Sequence, residues 1–128
     1  MKVNDSLLDK IWSKGQIVDG YDSAKIRKDA CGAWILRDQY GQSGSRYGWE
    51  IDHIVPQKVL QEKGVTLSKI DDIQNLRPLN IGNNLSKSDS YPDYMAKIRA
   101  DKEMNVEDNR YFSVNASLQA ELKQLFGL

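Results

Sequence analysis

The chain has 128 residues, which bounds it to a single domain, residues 1–128, able to bury roughly two-thirds of its unfolded surface without a covalent staple. One cysteine, Cys31, and one histidine, His53, exclude an intramolecular disulfide and a four-cysteine zinc site. Lys plus Arg number 18 and so do Asp plus Glu, so the formal net charge is zero, which argues against blanket attraction to nucleic acid but not against a local basic cleft.

An amphipathic helix opens the chain. Leu7, Leu8, Ile11 and Trp12 share one face at helical spacing, Asp5 or Ser6 is placed to cap it, and Gly15 fits its stop. Residues 19–28 are polar without a clear period and read as loop. From Ala33 the pattern turns to strands. Trp34, Ile35 and Leu36 make one β-rich run, and a Gly/Ser stretch over residues 41–45 separates it from a second run over 47–55. That pattern suggests a hairpin or a long excursion. Pro56 fits the first turn of a helix through Gln57, Lys58, Val59 and Leu60, with Gly64 as its stop, and residues 65–72 form an excursion.

Leu76, Arg77, Pro78 and Leu79 are a short extended piece, which the internal proline marks as an edge or irregular strand. Asn80 can cap a helix carrying Asn84 and Lys87, which lie three apart and hence on one face. A further helix is expected from Pro92, with Tyr94, Met95 and Ile98 apolar. A last one starts near Asn115, with Leu118, Leu122, Leu125 and Phe126 as its stripe. The fold class expected is α+β. Trp34, Trp49 and Tyr40 read as packing residues, and Cys31 as a buried one. No apolar run approaches a membrane span and no hydrophobic leader follows Met1, so a soluble, cytoplasmic protein is the expectation.

The chemistry concentrates around His53, in the run Trp49-Glu50-Ile51-Asp52-His53-Ile54-Val55-Pro56. Histidine is the side chain whose ordinary pKa suits it to take a proton near neutrality. Asp52 and Asn84 offer oxygen donors only, which suits Mg²⁺ or Mn²⁺ better than Zn²⁺, and two protein ligands leave positions for water and a phosphate oxygen. A general base beside a hard divalent ion is equipment for phosphodiester hydrolysis. In a regular strand Asp52 and His53 point to opposite faces, so sharing one site requires the strand to end or bend there. Pro56 makes an ending plausible.

Three pieces together, residues 50–56, Asn75-Leu76-Arg77-Pro78-Leu79, and Asn84 with Lys87, resemble the HNH endonuclease motif. The spacing from Asn75 to Asn84 and Lys87 is similar to that in the HNH module of RNA-guided CRISPR nucleases. The upstream run from Lys28 to Glu50 is similar to small stand-alone HNH proteins. The resemblance implies a ββα-metal core over about residues 47–90 with flanking helices. It implies hydrolysis of nucleic acid, DNA before RNA, leaving 5′-phosphate and 3′-hydroxyl ends. It assigns His53 as general base, Asn75 as the residue that steadies the loop and orients the histidine, and Asp52 and Asn84 as ligands of one divalent metal. Lys87 matches a helix lysine that can meet a phosphate. Arg77, with Arg37 and Arg46, is a candidate for a phosphate track. The third motif position is Asn where other members carry His, the structural zinc cysteines are absent, and the segment between His53 and Asn75 is longer than in the CRISPR module.

Two rival readings keep the same residues. One is a catalytically silent HNH-fold module that binds nucleic acid or a protein partner. The other is a nuclease used as a toxin or defence effector. With no net positive charge, affinity must come from a few focused contacts, so any cleavage is expected to depend steeply on salt.

Overall fold

Three two-stranded antiparallel ribbons and five α-helices make up the α+β architecture of the computed structural model, which describes residues 1–128. Helix α1 (Asp5–Trp12) buries Leu8, Ile11 and Trp12, and its cap is Asn4, whose Oδ1 accepts from the Leu7 amide at 2.8 Å. Asn4 sits one residue before the expected caps, because the helix already includes Asp5.

Strand β1 (Ile26–Lys28) pairs with β2 (Trp34–Leu36), matching Ile26 with Leu36. The expected loop over residues 19–28 therefore ends in a strand. Only one of its three residues is apolar, so alternation had nothing to show. The Gly/Ser stretch is a long excursion and not a hairpin turn: the backbone of β2 is tied to the second run by a single hydrogen bond, from Leu36 N–H to the Tyr47 carbonyl at 3.1 Å.

Strand β3 (Trp49–His53) pairs instead with β4 (Leu76–Asn80), in a register that places Asp52 opposite Arg77 and His53 opposite Leu76. All of β4 is buried, proline included. Between the two strands lie α2 (Gln57–Glu62) and α3 (Leu67–Ile70), the latter inside the expected excursion. Helix α4 (Ile81–Lys87) leaves β4 directly. Asn80 caps it through Oδ1, which accepts from the Gly82 amide at 2.9 Å. β3, β4 and α4 form a ββα unit.

The helix expected from Pro92 does not form. Residues there build a long hairpin, β5 (Asp93–Asp101) with β6 (Met104–Ser113). Tyr94, Met95 and Ile98 satisfy helical spacing, yet burial alternates at Tyr94 and Ala96 as a strand requires. The turn carries Lys102 at positive φ where a glycine would have signalled it. Helix α5 (Ala116–Phe126) closes the chain, with Asn115 as its cap and Gly127 left-handed at its end.

Two apolar clusters flank the β3–β4 ribbon. Trp12, Ile35, Trp49 and Leu76 pack with α1 on one side, and Val55, Leu60, Leu79, Tyr94 and Leu122 pack with α5 and β5 on the other. Trp49 and Tyr40 are packing residues in this sense: Trp49 is fully buried, with ring centroids 5.4 Å from Trp12 and 5.0 Å from Tyr40, while Trp34 is buried outside both clusters with its ring 4.9 Å from that of Tyr21.

Candidate active site

β3 ends at His53, and the ending brings consecutive side chains to one place. Asp52, His53 and Asn84 line a single cleft of about 160 Å³, whose polar rim is completed by Gln57, Ser88 and Asp89. Asp52 comes from the strand, Asn84 from the first turns of α4, and Pro56 marks where the chain turns away.

Asp52 is nearly enclosed. Its Oδ2 accepts from Arg77 Nε at 2.8 Å and its Oδ1 lies 3.2 Å from Lys87 Nζ. Lys87 is wholly buried, and its ammonium also donates to the His53 carbonyl at 3.2 Å. Burial pulls the Lys87 ammonium below its ordinary pKa, against the opposing pull of Asp52. Burial acts the same way on Arg77, but there Asp52 and Tyr94 together outweigh it and the guanidinium is held above its ordinary value. The Arg77 guanidinium lies 5.3 Å from the Tyr94 ring centroid, and its Nη2 is buried without a hydrogen-bond partner.

Neither Arg77 nor Lys87 lines the cleft. Arg77 borders a different cavity of about 370 Å³, shared with Lys14, Gln74 and Glu121. Arg37, also a phosphate-track candidate, pairs with Asp9 of α1 at 3.0 Å.

Asn75 is fully buried and forms no part of the cleft wall. Its Oδ1 accepts from the Val55 amide at 2.8 Å, and its Nδ2 donates to the carbonyls of Val55 and Ile70, each at 3.1 Å. It thereby clamps the chain two residues after His53 to the end of α3.

His53 is about one-fifth exposed, and its Nε2 lies 2.7 Å from Asp71 Oδ1. Asp71 follows α3, and its other oxygen is 3.4 Å from the Met1 amino group. Sequence reasoning passed over Asp71, because it sits in the segment between His53 and Asn75 where no motif spacing points to it.

The donor set bears on which ion the cleft suits. No three His, Cys, Asp or Glu side chains gather anywhere to hold a metal. The cleft offers the Asp52 carboxylate and the Asn84 amide. Asn84 Nδ2 is 3.4 Å from Glu50 Oε2, and its Oδ1 accepts no hydrogen bond from the protein. With Gln57, Ser88 and Asp89 at the rim, the polar side chains other than His53 present oxygen donors, the kind that hard divalent ions take.

With this geometry in view, the comparison with known proteins is specific. Residues 7–122 match the family described as the C-terminal domain of GmrSD restriction endonucleases. The chain belongs to that family. No curated protein and no solved structure matches it. The GmrSD C-terminal domains are an HNH-type nuclease family, in agreement with the motif in residues 50–87. Membership makes this a nuclease domain of restriction-endonuclease type, with nucleic acid as its substrate class. No helix is long and apolar enough to cross a membrane.

Proposed function

We propose that the chain is a metal-dependent endonuclease that hydrolyses phosphodiester bonds in DNA, with His53 as the general base and a divalent ion, Mg²⁺ or Mn²⁺, held by Asp52 and Asn84. The observation that supports this most directly is the meeting of Asp52, His53 and Asn84 in one cleft, in a member of a restriction-endonuclease family.

In this reading His53 takes a proton from water as the water oxygen bonds to phosphorus. The bond from phosphorus to the 3′ oxygen breaks in line, and that oxygen leaves to be protonated by solvent, giving 5′-phosphate and 3′-hydroxyl ends. When bound, the divalent ion supplies charge neutralisation at the phosphate and at the leaving oxygen. Asn75 keeps His53 in place through Val55. Arg77 and Lys87 fix the Asp52 carboxylate from behind the cleft, so their part is to hold that side chain in place.

One observation favours the silent binding module: Asp52 already faces two cationic side chains, which opposes the approach of another cation. Nicking of supercoiled plasmid separates the two readings. Nicking with Mg²⁺ or Mn²⁺, abolished by chelator and by His53→Ala, is the expected result. Nicking that survives His53→Ala would assign the base elsewhere, and DNA binding without nicking would favour the module. His53 suits this test because it is partly exposed, so its removal leaves the core intact.

A further inference from the structure

We infer that Asp71 is a positioning residue for His53: it fixes which imidazole nitrogen carries hydrogen and leaves Nδ1 as the nitrogen that receives the proton from water. The inference rests on the nuclease reading above and adds a residue to its machinery.

A carboxylate only accepts hydrogen bonds, so at 2.7 Å from Asp71 Oδ1 the Nε2 atom of His53 is the protonated nitrogen. The lone pair of the neutral ring then sits on Nδ1, which has no hydrogen-bond partner in the protein. This is the arrangement a base requires: one nitrogen anchored, the other free. A histidine acting through Nε2 would have to break the contact with Asp71 first.

An ordinary exposed ion pair is held by little and contributes little. This pair is mounted differently. Ile70, the residue before Asp71, is fully buried, and its carbonyl accepts from Asn75 Nδ2 at 3.1 Å. Val55, two residues after His53, is fully buried and bonded to the same Asn75 side chain through both its amide and its carbonyl. Asn75 thus grips the chain beside each member of the pair. The backbone adds to the clamp, with Ile54 N–H donating to the Asn75 carbonyl at 2.8 Å. The segment between His53 and Asn75 accordingly delivers a partner for the ring as well as connecting the two strands.

His53 is the only histidine, so ¹⁵N-labelled protein gives one imidazole spin system. With the ring neutral, long-range ¹H–¹⁵N correlation reads the tautomer directly. The wild type should show hydrogen on Nε2 alone, and Asp71→Ala and Asp71→Asn should both admit the Nδ1–H form as well, as an unanchored imidazole does. In plasmid nicking, kcat should fall on the order of ten- to a hundredfold in the variants, the cost seen where a carboxylate that orients a metal-bound histidine is lost. KM should be unchanged, because no substrate contact is removed. Hydrogen on Nδ1 in the wild type would overturn the inference, as would variants whose tautomer shifts while kcat stays at the wild-type value. If the wild type nicks nothing, the nuclease reading falls and the positioning role with it. A tautomer that still follows Asp71 would then mark the contact as purely structural.

Discussion

Asp52 and His53 are neighbours in sequence, yet they answer substitution in opposite ways. His53 has one side-chain partner and partial exposure, whereas Asp52 is the sole anion in contact with Arg77 and Lys87 in an enclosed space. Asp52→Asn would leave two cations buried without a carboxylate, a change that costs on the order of 3 kcal/mol. The expected outcome is a lowered urea midpoint, partly restored when Lys87→Met is added, because the second change removes one of the stranded charges. A loss of nicking in Asp52→Asn is interpretable only beside that denaturation curve. At this scale the sequence was informative about identity and silent about orientation. His53, Asp52 and Asn84 could be picked out by type and spacing, and they share a cleft. Lys87 matches a helix lysine that can meet a phosphate, but three-residue spacing from Asn84 does not tell which part of a seven-residue helix faces inward. Here Lys87 is the inward side chain, and Asn84 lies at the cleft.

Helix α4 is placed by polar groups as much as by apolar ones. Asn83 is fully buried; its Oδ1 accepts from the amides of Lys97 and Ile98 at 3.0 and 2.8 Å, and its Nδ2 donates to the Ile98 carbonyl and to Asp29. Asp29, also fully buried, accepts from the amides of Cys31, Ala33 and Asn80 as well. Burial pushes its carboxyl above the usual range, and these donors act against the shift.

Close packing completes the placement. A Cβ on Gly82 would come within 2.8 Å of Ile98 Cγ1. Gly82→Ala should therefore lift α4 from β5 and lower stability by roughly 1–3 kcal/mol. Ile98→Ala added to it should cost less than the two single changes summed, a coupling that a double-mutant cycle in urea measures. None of this was legible beforehand. The β5–β6 hairpin has no Asn-Gly or Asp-Gly turn, and its apolar residues happen to satisfy a helical template, so the element that α4 rests on was misread as another helix. The terminal helix and α1, by contrast, carry long apolar stripes with asparagine caps and follow the pattern closely.

Over the whole molecule, charge is balanced and part of it is committed to internal pairs. Arg37 is paired with Asp9, and Arg99 and Arg110 both contact Asp108, which these two cations hold below the usual carboxylate range. Most lysines and arginines stay outside such pairs, but an equal number of acids offsets them, so binding to a polyanion must rest on the few cations that reach it rather than on a net positive field. Cleavage should fall between low and physiological salt with a slope set by the number of those contacts, and a rate unchanged across that range would contradict electrostatic binding. The zero net charge made this visible from composition alone. Which cations are spent on internal pairs depends on contacts between residues far apart in the chain, and these emerge only with the fold.

The ladder between β5 and β6 shifts register between Ala96 and Ile98, and it is there that Asn83 supplies hydrogen bonds to the backbone of Lys97 and Ile98. The side chain next to the proposed ligand Asn84 thus acts as a substitute strand for a hairpin that begins after the motif has ended. The motif in residues 49–89 is in this sense not portable. Transplanted or cut out, it would carry the reactive groups without the beam that sets their spacing, and the hairpin left behind would lose the piece that fills its own irregularity.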